Sequence, residues 1–317
     1  SFPVFCRASF GLKGSNYPGL IRALIGFGWF GIQNWLGGSA FSMALGLIFP
    51  KWAAWDAATT ITEGFWITGL SGGKLIGMII VLVLSLIIAY SKSEGIRIFA
   101  QITVPIMILI ALGFFIWTVS KVGISAMWVS EGLPTYDFLK VSPIFITGMI
   151  GYWLAMAVSI PDFSRYAKGQ KEQISGQFLG LIVIMAIFSL LGVMVAQGTI
   201  TIFGRAVWDM IELAGLIATG TGTIGSVLII LAFVFVIMAT LSTNVAANMV
   251  APLNVFINLS PKYLNFRNAA VIFSIISVLI APWYILSSYE TYIYNWLNAI
   301  GATLGGVLNT DYRFLGY

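Results

Sequence analysis

The sequence contains no histidine and one cysteine, Cys6. Without histidine the chain lacks the commonest general base, proton shuttle and transition-metal ligand. A single cysteine excludes an internal disulfide and any cysteine-cluster metal site. Charge is scarce too, at 9% of 317 residues, and none of the 11 Asp and Glu residues falls in the middle of an apolar run. Asp162 follows Pro161 at the end of one run, and Glu290 sits at a turn. A carboxylate proton relay or an acidic selectivity ring therefore loses support. An intramembrane hydrolase would lack both a nucleophile–base pair and a metal set, so the chain is not expected to be an enzyme.

Apolar residues are abundant, at 59%. No soluble core needs that much apolar surface, which makes this a polytopic, all-α membrane protein in a lipid bilayer. The net charge of +5 sits singly or in pairs at the ends of apolar segments. That distribution is a topology signal and not a nucleic-acid surface. The chain begins Ser1-Phe2-Pro3 with no signal-peptide pattern and ends just after an apolar run, so a fragment is expected.

Eight membrane spans are predicted: Gly19 to Phe41, Leu75 to Tyr90, Ile98 to Val119, Pro143 to Ile160, Phe178 to Ile202, Ile224 to Val250, Ala269 to Ser287 and Thr291 to Leu308. A long loop is expected from Ser42 to Lys74, where Trp52, Trp55, Phe65 and Trp66 would supply an interfacial belt. The loop from Phe203 to Gly222 has room for a short amphipathic helix on the surface. Loops carrying Arg7, Lys13, Arg22, Lys92, Arg97, Arg165, Lys168, Lys171, Lys262, Arg267 and Arg313 hold 11 of the 16 basic residues, which predicts both ends of the chain on the cytoplasmic face of a cell (plasma or inner) membrane.

Three spans carry polar groups. Trp29 and Gln33 lie four residues apart on one helical face near mid-membrane, which suits either a cavity or ordinary interhelical packing. In Thr147-Gly148-Met149-Ile150-Gly151-Tyr152-Trp153, the glycines suit either a discontinuous helix at a transport site or close helix packing. The run Ala239 to Asn248 sets hydroxyls and amides inside an apolar segment. Ser242 and Thr243 offer hydroxyl oxygens, and the Ala239 carbonyl becomes available if the helix opens; together they suit a hard monovalent cation. The competing reading is back-bonding of these hydroxyls to carbonyls one turn earlier. Asn248 carries an amide that can donate and accept at once, which suits a ring with adjacent N–H and C=O groups.

Three motifs then coincide in order. Trp29-Phe30-Gly31-Ile32-Gln33-Asn34-Trp35-Leu36-Gly37-Gly38, Ser159-Ile160-Pro161-Asp162-Phe163-Ser164-Arg165-Tyr166, and Ala239 to Asn248 followed by Ser260-Pro261-Lys262 together resemble the nucleobase:cation symporter-1 family, in its hydantoin, allantoin and uracil permease branch. The resemblance implies a LeuT-like fold of two five-helix inverted repeats. It makes 1–317 a single transmembrane transporter domain truncated at both ends, the eight spans being family helices three to ten. It also implies import of a planar nitrogen heterocycle with Na+ or H+ by alternating access, with no cofactor beyond a possible coupling Na+. Trp29 and Trp153 would stack on the ring, Gln33 and Asn248 would read its N–H and C=O groups, and Ala239, Ser242 and Thr243 would hold sodium. Tyr152 stands beside the ring where the hydantoin branch has glycine, which leaves the substrate open. The Trp296 to Tyr312 region is shorter than the family pattern and lacks its proline. A same-fold carrier of a quaternary amine, or a membrane sensor or channel, is the alternative. Oligomeric state is not legible in the sequence.

Overall fold

The computed structural model describes residues 2–64, 66–128, 135–219 and 222–287, with backbone alone at 3, 92, 93, 151, 152 and 154–159. The expected span Thr291 to Leu308, Phe65, Glu290, Arg313 and the Trp296 to Tyr312 region lie outside the described residues. All regular structure among the described residues is helical. In chain order the helices are α1 (Phe2–Phe5), α2 (Arg7–Gly14), α3 (Asn16–Ile48), α4 (Pro50–Ala58), α5 (Gly72–Tyr90), α6 (Lys92–Trp128) and α7 (Thr135–Ser164). There follow α8 (Gln170–Phe203), α9 (Met210–Ala218), α10 (Thr223–Leu259), α11 (Phe266–Leu279) and α12 (Pro282–Ser287).

Four of these are long and apolar enough to cross a bilayer: Gly72–Tyr90, Glu94–Trp128, Gln170–Phe203 and Thr223–Leu259. Their most apolar stretches are mostly exposed, between 11% and 33% buried. In water such surfaces would aggregate; in lipid they are solvated, and the helix satisfies its own backbone groups.

The central element is α3, with 33 residues and a length of about 50 Å. Its two halves enter different cores. Ala23, Phe27 and Phe30 pack with Ala89, Val245, Met249, Leu253 and Phe273. Further along, Ala40 and Ala44 join Phe114, Val195, Ile211, Ile229 and Ala232. Phe273 of α11 wedges against Phe27 at 4.3 Å between ring centroids and against Phe30 at 5.7 Å.

The α3–α5 crossing is made backbone to backbone. A Cβ at Gly38 would strike the Met78 amide nitrogen and the Lys74 carbonyl, and one at Gly77 would strike the Gly38 carbonyl. Glycine is required at this approach because any side chain would push the helices apart. Next to it, Asp56 of α4 accepts from Ser42 Oγ at 2.7 Å and from the Gly73 amide at 2.7 Å, tying α3, α4 and α5 together. Partial burial works to raise the Asp56 pKa, but hydrogen bonds from Ser71, Ser42 and Gly73 and the charge of Lys74 outweigh it and hold the carboxyl below its usual value.

Several expectations need correction. The Ser42 to Lys74 region is not one long loop: α3 continues to Ile48 and α4 follows at once, with Pro50 at its first position. Trp52 donates to Ser42 Oγ at 3.0 Å and so belongs to the α3–α4 joint, whereas Trp55 and Trp66 are exposed. The backbone of α7 runs helically through Gly148 and Gly151, so the helix is not discontinuous there. The Ala269 to Ser287 span is instead interrupted at Ile280 and Ala281, the latter at φ 54, between α11 and α12. The short helix anticipated in the Phe203 to Gly222 loop exists as α9; its N-terminus is capped by Asp209, and Ile211, Leu213 and Ala214 are buried in the bundle.

Candidate functional site

Arg22, Gly26, Trp29 and Gln33 recur at intervals of four, three and four along α3 and therefore share one face. Opposite them α10 changes character. It is α-helical through Thr243 and then forms a π-helical stretch from Asn244 to Val250. Such insertions are rare and cluster at functional sites because they displace backbone groups from the regular ladder. A second π stretch, Phe178–Ile184, opens the apolar part of α8.

Between these elements lies a cavity of about 250 Å³ that Trp29, Gln33, Trp153, Thr243 and Asn248 all line. It therefore gathers four of the five residues assigned to the ring and one assigned to the cation. The side chain of Tyr152 is outside the described residues. Ala239 and Ser242 do not line the cavity: Ser242 directly precedes Thr243, Ala239 lies about one turn back along α10, and Ser242 Oγ donates to the Ala239 carbonyl at 3.1 Å. This is the back-bonded arrangement, and α10 is not opened there. The Ala239, Ser242 and Thr243 oxygens remain the donor type that a hard cation takes.

Orientation within the cavity is set from behind. Trp29 is 7% exposed, and the Trp153 indole N–H points at Met185 Sδ, 3.1 Å away. Asn248 donates through Nδ2 to Asn244 Oδ1 at 3.2 Å, and Asn244 donates in turn to the Phe30 carbonyl at 3.3 Å. The same carbonyl accepts from Asn34 Nδ2 at 2.8 Å. Gln33 Oε1 is buried with no hydrogen-bond partner among the described residues.

Arg22 was expected in a cytoplasmic loop, and the structure corrects this. It is 1% exposed, lines the cavity, and donates from Nη2 to the Ala247 carbonyl in the π stretch at 2.7 Å. Its place near the end of an apolar run made it look like a topology charge. The signal that would have found it is its spacing of seven from Trp29, two turns along the same face.

A larger cavity of about 540 Å³ adjoins the first, with Phe163 and Ala246 common to both. Arg97, Arg165 and Arg267 line it with Asp162 and Asn254. Asp162 is buried, accepting from Asn254 Nδ2 at 3.3 Å and from the Phe2 amide at 3.2 Å.

Among the described residues, a helical bundle with exposed apolar helices long enough to span a bilayer and a cavity of paired indoles and amides has the architecture of a multi-pass membrane transporter. A family described as "Permease for cytosine/purines, uracil, thiamine, allantoin" matches residues 1–315, and the chain belongs to it. The family is one of permeases, not enzymes. The chain is 36% identical to "Purine-uracil permease NCS1" of Arabidopsis thaliana over 99% of its own length and 51% of that protein. It is 32% identical to "Allantoin permease" of Bacillus subtilis (strain 168) over 98% of its own length and 62% of that protein. It thus spans about half to three fifths of these relatives. Among solved structures it resembles Mhp1, a nucleobase-cation-symport-1 family transporter, closed with bromovinylhydantoin bound: TM-score 0.72, 21% identity, 99% of this chain and 65% of that one. The inward-facing conformation of Mhp1 gives a TM-score of 0.67 at 22% identity, over 99% of this chain and 63% of that one. These two likenesses establish the fold, which is LeuT-like.

Proposed function

We propose that the protein to which this chain belongs is a secondary-active symporter that imports a planar nitrogen heterocycle of nucleobase, allantoin or hydantoin type. The observation that carries the reading is the meeting of Trp29, Trp153, Gln33 and Asn248 around one cavity of about 250 Å³. Indole faces hold any flat ring, and amides confer hydrogen-bond selectivity on it. Tyr152, whose side chain is undescribed, is assigned to the same ring by position.

The coupling cation, Na+ or H+, is a co-substrate in this reading. Sodium would take oxygens from Ala239, Ser242 and Thr243, the last of which borders the ring cavity. Binding of the ion beside the ring raises affinity only in the state where both sites are formed, which is what couples the two gradients. The 540 Å³ cavity, rich in arginine, lies on the side that the distribution of basic residues makes cytoplasmic, and it serves as the inner vestibule. Alternating access then exposes the small cavity to each face of the cell membrane in turn.

The test is uptake of labelled uracil, allantoin and hydantoin by the full-length protein in proteoliposomes under imposed sodium and proton gradients. Saturable, gradient-dependent uptake that Trp29→Ala and Asn248→Ala each abolish is expected. Ungated flux, or uptake indifferent to both substitutions, overturns the reading.

A further inference from the structure

The amide chain behind the cavity has a direction, because one end is anchored on a group that can only accept. A backbone carbonyl has no proton to give, so Phe30 O must receive Nδ2 of Asn244. Asn244 is fully buried, and with its nitrogen directed to Phe30 its Oδ1 faces Asn248 at 3.2 Å. Asn248 must then present its own NH2 to Asn244. An amide so held keeps the second N–H of its NH2 and its carbonyl oxygen, and with its nitrogen fixed toward Asn244 the acceptor it offers the cavity it lines is Oδ1.

We infer that Asn244 is a positioning residue that fixes the polarity of Asn248, so that the cavity selects rings presenting an N–H donor there. The inference rests on the reading of this cavity as a heterocycle site and names the class of ring it takes: cyclic ureides and imides with a free ring N–H, in preference to rings alkylated at that nitrogen. Rotating Asn248 to offer NH2 would set its Oδ1 against Asn244 Oδ1, two acceptors face to face in a buried site. Gln33 Oε1, buried and with no partner among the described residues, adds a second acceptor. Two acceptors suit a ring with two donors. Among the described residues no hydrogen bond tethers Gln33 Oε1 in the way that Asn244 tethers Asn248.

Methyl groups read this directly. On the full-length protein, tryptophan fluorescence quenching gives affinities for uracil, for 1-methyl- and 3-methyluracil, and for 5-methyl- and 6-methyluracil. The first methylated pair loses a donor; the second adds the same bulk and keeps both donors. The expected result is that one N-methylation costs roughly ten- to a hundredfold more affinity than C-methylation. Asn244→Ala, checked for folding by size exclusion and thermal unfolding, should narrow that gap to within about threefold, because a freed Asn248 amide can turn either edge. A merely structural role would weaken all five ligands alike and leave the gap intact. Equal costs in the wild type overturn the inference, as does a full gap in folded Asn244→Ala. The wild-type series stands even if the variant does not fold. Failure of the wild type to bind uracil or hydantoin overturns the functional reading, and the inference falls with it.

Discussion

The guanidinium of Arg22 and the carbonyl of Ala247 meet at 2.7 Å inside the bundle, 225 residues apart in sequence. The bond fastens the π stretch of α10 to the face of α3 that carries Trp29 and Gln33. A carbonyl displaced from the helical ladder needs such a donor, and water is scarce at this depth. Replacing Arg22 by Met keeps much of the side-chain volume and removes the donor. Arg22→Met should lower stability by about 1–3 kcal/mol and weaken ring binding, as read by thermal unfolding and fluorescence quenching. Unchanged values for both would mean that the π stretch holds itself.

The α3–α5 crossing predicts a sharp contrast between glycines. Gly38→Ala would drive a methyl into the backbone of α5, whereas Gly192 on α8 has nothing within 4 Å of an added Cβ. Gly38→Ala should destabilise by about 1–3 kcal/mol or more, and Gly192→Ala should be neutral or slightly stabilising. Melting temperatures in one detergent decide it.

At Asp56 the folded-state pKa lies below its ordinary value. A depressed carboxyl contributes stability that is present above its unfolded pKa and lost as pH falls through the folded one. Asp56→Asn should therefore cost about 1 kcal/mol at pH 7, a gap that closes as the pH is taken from about 5 to below 3. Parallel unfolding curves across that range would remove the carboxylate from the joint.

Cys6 is buried beside Phe2 and Val255, and burial pushes its thiol up to about 12. The thiolate is the nucleophile, so maleimide labelling at pH 7 should be negligible in the folded protein and complete after denaturation. Rapid labelling of the folded protein would show that this contact opens.

For the cation, Thr243→Ala should reduce the sodium dependence of uptake while ring binding at saturating sodium persists. An unaltered sodium response would take Thr243 out of the ion's coordination.

Much of this was legible because a bilayer imposes a strong signal. The spans of α5, α6, α8 and α10 follow from apolar run length alone, and a costly polar run such as Ala239 to Asn248 announces itself. Trp29, Gln33, Trp153 and Asn248 were readable as candidates, though only the fold brings them to one cavity. What stayed hidden depends on contacts between distant segments. A π turn has no compositional mark, so Asn244–Val250 could not be foreseen. Arg22 was misread because charge near the end of an apolar run normally faces water, and its buried partner is a carbonyl on another helix. Asn244 drew no role because its importance lies in the direction of an amide. The glycines of α7 suited a break and close packing equally in the sequence, and the helix runs through them, since a membrane helix can absorb glycine without unwinding.

The π stretch also has a consequence for everything that follows it in α10. A π turn holds one residue more than an α turn, so each side chain after Val250 stands about 100° round from where an unbroken α-helix would carry it. Pro252 sits against Gly26, and Asn254 reaches Asp162 in the larger cavity, because of that phase offset. Deleting a single residue between Asn244 and Val250 would leave the helix apolar and long enough to span, yet turn the part that follows Val250 to the wrong neighbours. The two cavities are thus kept in register by one surplus residue.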